Sequence, residues 1–199
     1  MSPRIWLIRH GETEWSRAGR HTGRTDIRLT GAGEEQAQNA GRALTDVVPA
    51  LVLCSPLIRA RRTAELAGLR PDAFDDDLME WDYGAWEGLT TAEIRILRGE
   101  LGWRVWDEPI PPGAAPGSTP GEQLSDVRVR ADRVIARCTP VLEAGRECVL
   151  VAHGHLLRIL TATWLDLPPD AARLFALEPA HRSSLGFERE QRVITSWNA

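Results

Sequence analysis

Arg4-Ile5-Trp6-Leu7-Ile8-Arg9-His10-Gly11-Glu12-Thr13-Glu14 sets an uninterrupted apolar run, Ile5 to Ile8, directly against a polar Arg-His-Gly turn. A short apolar run bounded by a turn suits a strand buried on both faces of a parallel sheet. In open α/β sheets the crevice for ligands lies at the carboxyl ends of the strands. Arg9 and His10 therefore emerge where chemistry is done, with Gly11 letting the backbone turn beneath them. On its own the tripeptide equally suits a hydrogen-bonded structural histidine. A cation beside an imidazole at such a place also suits an anionic ligand, phosphate above all.

The same design recurs near the other end of the chain. Cys148-Val149-Leu150-Val151-Ala152 is apolar and stops at His153-Gly154-His155. Ala50 to Cys54 forms a third such strand, and Phe74 to Leu78 a short fourth. Between them the spacing predicts helices. One follows the Thr30 N-cap to about Val47, with Ala37, Ala40, Gly41 and Leu44 as its buried stripe. Another starts at Ser55-Pro56, with Ser55 as cap and Pro56 at the first position. It carries Arg59 in its first turn, where the helix dipole disfavours a cation unless an anion lies nearby. Thr90-Thr91-Ala92-Glu93 is a capping box opening a helix to about Arg98. Glu122 to Ala144 repeats Leu124, Val127, Ala131, Val134, Cys138 and Val141 at helical spacing. Leu156 to Leu165 is a further helix, and Ser184–Glu188 with Arg192–Trp197 suggests a terminal hairpin. Glu12 to Arg17 forms a helical turn, and the polar segment from Gly19 to Asp26 is a loop near the first strand's end.

The 199 residues suit one domain, 1–199. The stretch from about Glu87 to Gly121, whose part from Trp106 onward is rich in proline and glycine, is expected as a lid inserted over the sheet. A net charge of −4 argues against a general nucleic-acid partner. All 24 basic residues are arginine, so any phosphate must be held by Arg, His, hydroxyls and backbone N–H groups. No leader-like start precedes Ile5 and no 18-residue apolar run exists, so we expect no membrane partner and a cytoplasmic protein. Cys54, Cys138 and Cys148 lack CxxC spacing and suit buried reduced thiols.

Four motifs occur together: Arg9-His10-Gly11 after a strand, Ser55-Pro56-x-x-Arg59-Ala60-x-x-Thr63, Glu80-x-x-Tyr83-Gly84-x-x-Glu87-Gly88, and His153-Gly154-His155 after a strand. In order and spacing, over nearly the whole chain, the sequence resembles the histidine phosphatase superfamily, in its branch of phosphoglycerate-mutase-like phosphatases. The resemblance implies a three-layer α/β fold: a mostly parallel sheet flanked by helices, with a small helical lid. By position it makes His10 a nucleophile that becomes phosphohistidine, Arg9, Arg59 and His153 a phosphate pocket, and Glu80 the general acid and base. Ser16, which replaces the Asn of many relatives, joins Thr22, Gly23, Tyr83, Gly154 and His155 as further phosphate or substrate contacts, His155 either directly or from behind.

Elementary chemistry agrees. An attacking imidazole must be neutral, and neighbouring Arg9, Arg59 and His153 disfavour its protonation. The same cations stabilise charge on a transferring phosphoryl group. Confinement near Trp81 and Trp86, and near the phosphate's own charge, is expected to keep Glu80 protonated beforehand. We expect no cofactor and no metal. A site built from His10, His153 and His155 would need a dication beside Arg9 and Arg59. His21 and His181 are taken as structural or surface residues. Trp81, Trp86, Trp103 and Trp106 either line an apolar slot or pack the lid, and packing is favoured.

Mutases of this family hold a second phosphate with a Lys after the Tyr-Gly segment and an Arg pair after a lid Trp. The corresponding positions here are Thr91, which carries no charge, and Asp107-Glu108, two anions that would repel a second phosphate. The expected activity is therefore hydrolysis of a small-molecule phosphomonoester. A bisphosphoglycerate-dependent mutase and a non-catalytic phosphate-binding relative are the alternatives. An outward sheet edge leaves room for a homodimer.

Overall fold

Strand residues alternate between two cores, because successive side chains of a strand point to opposite faces. The computed structural model describes residues 3–106, 109–114 and 119–199. In it β1 (Ile5–Arg9), β2 (Pro49–Cys54) and β4 (Glu147–Ala152) form the parallel centre of a six-stranded sheet. Ile5, Leu7, Cys148 and Leu150 face one core, packed by α5 (Leu124–Glu143) and α6 (Gly154–Trp164). Ile8, Val52, Val149 and Val151 face the other, packed by α2 (Gly31–Arg42) and α3 (Ile58–Leu66). Helices on both faces of a sheet give three layers, as the family resemblance implied.

The strand order is β3-β2-β4-β1-β5-β6. β3 is only Ala73–Phe74, while β5 (Arg182–Glu188) and β6 (Gln191–Ser196) form the terminal antiparallel hairpin. β1 and β4 are direct parallel neighbours, and His10 N–H donates to the Ala152 carbonyl at 2.9 Å. That pairing brings the Arg9-His10 and His153-Gly154 turns side by side. Beneath them runs a contact with no side chain in it. A Cβ on Gly11 would stand 2.2 Å from the Gly33 carbonyl oxygen, and one on Gly33 would stand 2.1 Å from that of Glu12. The start of α2 is thus pressed against the loop that carries His10.

Several boundaries differ from the sequence reading. Ser55 does not cap α3, which begins two residues after Pro56 with Leu57 in the cap position. The Ser55 hydroxyl instead lies 2.7 Å from His153 Nε2. The strand expected over 74–78 ends at Phe74, because Asp75 accepts from Asp77 N–H and turns the chain into a 3-10 helix, Asp76–Leu78. On α5 Leu142, and not Val141, is buried, and Arg130 sits within the apolar stripe. α2 stops at Arg42, and Gly41 is only partly buried. There its lack of a Cβ lets the Ala67 backbone approach.

The Thr90–Glu93 capping box is formed in both directions and starts α4 (Thr91–Arg98). α1 is the short turn Glu14–Arg17. Trp81, Trp103, Val105 and Ile110 belong to the same core cluster as β1 and α5, and Trp86 and Trp106 pack against it. These tryptophans are therefore mainly packing, although Trp106 also meets His155 and Arg158. Among the described residues no helix is long and apolar enough to cross a membrane.

Candidate active site

A cavity of about 260 Å³ opens where β1 and β4 end. Its wall contains Arg9, His10, Ser16, Thr22, Glu80, Tyr83, Gly154 and His155 from the sequence reading. It also contains Gly19, Arg20, His21, Thr91, Arg158 and Leu177, which that reading did not assign to the site. Arg59, His153 and Gly23 are not in the wall.

His10 is 4% exposed, and its Nδ1 donates to the Gly11 carbonyl at 2.7 Å. That bond puts the proton on Nδ1 and leaves the Nε2 lone pair free. Burial, then Arg59, then Arg9 hold the imidazole well below the ordinary histidine range, against a smaller opposing effect of the Gly11 carbonyl. A neutral ring with a bare Nε2 can attack an electrophile.

Arg9 Nη1 donates to the Leu177 carbonyl, while its Nε is buried with no hydrogen-bond partner among the described residues. A buried guanidinium N–H without an acceptor is costly and fits an anionic guest. Burial pulls the Arg9 pKa down, and Glu80, Glu178 and Tyr83 pull it back up. Gly154 is the first residue of α6, and a Cβ there would stand 3.2 Å from Arg9 Nε.

Arg59 and His153 form the layer behind His10, and both are fully buried. Arg59 Nε donates to His153 Nδ1 at 3.2 Å, and its other nitrogens donate to the carbonyls of Thr22, Thr25 and Gly23. With Nδ1 accepting, His153 carries its proton on Nε2 and donates to Ser55 Oγ. Both His153 nitrogens are thus occupied by protein, so this ring offers no lone pair to an ion. Its pKa lies well below the usual range through burial, Arg59, His10 and Arg9. Gly23 supports this layer: its N–H donates to both Glu87 oxygens at 2.9 Å, and its carbonyl accepts from Arg59. The Ser16 hydroxyl closes a capping box with Thr13, accepting from Thr13 N–H and donating to the Thr13 carbonyl. Its proton is therefore used locally.

Glu80 does not sit in an apolar slot. Its carboxylate accepts from His155 N–H at 3.0 Å and Leu156 N–H at 2.9 Å, in the first turn of α6, and from Trp81 N–H at 2.9 Å. An anion at that place complements the helix dipole. Arg130 holds the preceding loop by donating to the carbonyls of Asp77, Met79 and Glu80 and to both Glu122 oxygens. Replacing Arg130 by alanine would leave these carbonyls without their donor and strip the Glu122 carboxylate of its two-nitrogen partner, with only Arg24 and the Asp82 N–H remaining to it. We expect a loss of about 3 kcal/mol or more of stability, read as a lower denaturation midpoint. An unchanged midpoint would contradict the assigned contacts.

Tyr83 OH bonds to His155 Nδ1, and the His155 ring meets Trp106 edge-on with centroids 4.6 Å apart. Burial pushes the Tyr83 phenol well up and His155 well down. Burial also lowers His21 to about 4. Four histidines are therefore neutral in the folded protein.

Two pH effects follow. The acid limb of kcat/KM should fall below pH 6.5, since His10 keeps its lone pair there. A limb at or above the ordinary histidine value would show that burial and the arginines do not act as assigned. Stability runs the other way. Below pH 6.5 the unfolded chain binds protons that the folded one refuses, so stability is full above 6.5 and is lost on acidification. For His21, lowered to about 4, that loss amounts to about 3 kcal/mol by pH 4. Denaturant titrations at pH 7 and pH 4 measure the sum over all four.

Among the described residues no group of three or more His, Cys, Asp or Glu has metal-ligating placement. Arg20, Arg158 and Arg130 belong to no short motif, but two left a trace. Arg158 lies four residues after Gly154, on the same helix face. Arg130 is a charge on the apolar stripe of α5.

The chain is 39% identical over 193 residues to an acid phosphatase of Mycobacterium tuberculosis, covering 96% of this chain and 90% of that one. It is 31% identical over 198 residues to a probable phosphoglycerate mutase GpmB of Salmonella paratyphi C, covering 97% and 89%. The solved structure of the open reading frame Rv3214 of Mycobacterium tuberculosis superposes with a TM-score of 0.89 at 37% identity, over 100% of this chain and 98% of that one. Residues 5–199 match the histidine phosphatase superfamily, branch 1, and the chain belongs to that family.

Proposed function

We propose that this protein is a metal-independent phosphomonoester hydrolase that works through a phosphohistidine on His10, with Glu80 as general acid and base. Membership of the superfamily makes it an enzyme of phosphatase type; the route is our reading. The observation that carries it is the His10 ring, whose Nδ1 proton is tied to Gly11 while Nε2 is bare in a wall shared with Arg9 and Glu80.

In the first step the Nε2 lone pair attacks phosphorus and the P–O bond to the alcohol breaks. Glu80 takes up a proton as the phosphate dianion binds beside it, and the electron pair of the broken bond leaves with the alkoxide oxygen, which receives that proton. In the second step the Glu80 carboxylate accepts a proton from water, and the hydroxyl oxygen attacks phosphorus. The P–N bond breaks, its pair returns to Nε2, and inorganic phosphate departs. Arg9 meets the equatorial oxygens with its N–H groups, and Arg59 acts from behind through the field it places on His10. His153 positions Arg59. Thr22 and Gly154 border the phosphate, while Gly23 acts by anchoring Arg59.

The relative named acid phosphatase supports hydrolysis. Thr91, in the wall where mutases of the family place a Lys, brings no second cation from that position. The lid pair Asp107-Glu108 lies outside the described residues. The test is a trapping experiment with a ³²P-labelled phosphomonoester and excess EDTA, quenched in alkali. We expect label on protein that survives alkali and is lost in acid, as a phosphoramidate is. Turnover that stops with EDTA, or label stable to acid, would overturn the route. An assay of 3-phosphoglycerate with and without 2,3-bisphosphoglycerate tests the mutase reading, which predicts cofactor-dependent isomerisation.

A further inference from the structure

The charges in the cavity wall do not balance for a simple phosphate ester. Three cations, Arg9, Arg20 and Arg158, face one carboxylate, Glu80. A reacting phosphate dianion engages Arg9 at the wall and Arg59 behind it, which leaves Arg20 and Arg158 without a task in the chemistry.

Arg158 is the more telling of the two. It is half-buried on α6, and its Nε and Nη2 donate to the carbonyls of Ala172 and Arg173 at 3.0 and 3.1 Å. Its guanidinium lies 4.7 Å above the Trp106 ring. These contacts fix it in place without neutralising it: its partners are two carbonyls and a ring, and among the described residues no carboxylate pairs with it and its Nη1 has no hydrogen-bond partner. Burial pulls its pKa down and Arg9 adds repulsion, while Tyr83 and Glu80 only partly offset them. Arg20 is held through Nη1 on the Gly88 carbonyl at 2.5 Å, with Glu93 at 3.7 Å. A rigid, half-buried guanidinium with an unused N–H edge suits a carboxylate or phosphate oxygen. A second recess of about 410 Å³ shares His21, Thr91 and His155 with the cavity wall, so a ligand longer than a phosphate has space on that side.

We propose that this site selects phosphomonoesters whose non-reacting end carries a second anion, a carboxylate or another phosphate, bound by Arg158 with help from Arg20. The proposal rests on the hydrolase reading above. It departs from the expectation that Thr91 and the acidic lid pair leave no place for a second anion, because the cations come instead from the loop after α1 and from α6. An arginine that only ties down the 169–174 turn and packs on Trp106 would leave substrate preference untouched.

The test compares kcat/KM for 3-phosphoglycerate, fructose 1,6-bisphosphate and glycerol 3-phosphate, which carry a carboxylate, a phosphate and a neutral diol beyond the reacting group. In the wild type at low ionic strength, at least one anionic-tailed ester should exceed glycerol 3-phosphate by about tenfold or more, the scale of a charge-assisted contact. Which of the two does so tells carboxylate from phosphate. Arg158→Gln should lower that ratio by about tenfold or more, mostly through KM, and Arg158→Lys should retain part of it. The wild-type ratio does not depend on any variant folding, and its absence overturns the proposal. So does a preference that survives Arg158→Gln, or an equal loss on all three esters, which would place Arg158 at the reacting phosphate. Failure of the hydrolase reading looks different: His10→Ala would then hydrolyse glycerol 3-phosphate as well as the wild type does.

Discussion

Replacing His10 by alanine should lower kcat by about 10⁴-fold or more on every phosphomonoester, whatever its leaving group. The reason is the loss of a bond, not of a contact. Without Nε2 no phosphorus–nitrogen intermediate forms, and water would have to attack an ester that the site was not shaped to present to it. Such a loss corresponds to about 5.5 kcal/mol or more in the barrier. The fold should lose far less. His10 is neutral and the hydrogen bond its side chain makes to protein is Nδ1 to the Gly11 carbonyl, so about 1 kcal/mol is at stake. Steady-state rates with an aryl and an alkyl phosphate, beside a denaturation curve, separate the two effects. A variant that kept a tenth of the wild-type rate would refute His10 as nucleophile.

Glu80→Gln should divide the two chemical steps by their need for a proton. An alkyl ester leaves as a strong base, and its rate should fall by about 10³-fold when the acid is gone. The p-nitrophenyl ester leaves as a stabilised anion and needs no proton, so its first step should be nearly spared. Its second step still lacks the base that activates water. The signature is a burst of one p-nitrophenolate per active site followed by slow turnover. Equal suppression of burst and steady state would place Glu80 elsewhere in the mechanism. Glutamine retains one carbonyl oxygen for the first turn of α6, but its NH₂ would meet a backbone N–H that now finds a carboxylate oxygen. A modest drop in the denaturation midpoint should accompany the kinetic change.

The sheet and the reactive turn were legible because their causes are local. Ile5 to Ile8 and Cys148 to Ala152 are apolar without interruption, and each ends in histidine and glycine. Glu80 and Tyr83 were legible through the family resemblance, not through any periodicity. The second layer of the site was not legible. Whether Arg59 faces a ligand or stands behind His153 depends on the carbonyls of Thr22, Gly23 and Thr25, which no pattern announces. Ser55 looked like a helix cap because serine before proline usually is one. The His153 Nε2–H claimed its hydroxyl instead, a long-range contact that outweighs a local preference. Arg20 and Arg158 entered from segments without motifs, and their meaning appeared only once the cavity closed around them.

The Gly11–Gly33 contact carries a consequence for variation. Even a methyl group at either position would strike a carbonyl oxygen, and backbone cannot swing aside as a side chain can. Saturation libraries should therefore tolerate no replacement at residue 33, although it forms no part of the cavity wall. The two segments have to drift together or not at all, so a position with no chemistry of its own polices the one that has it.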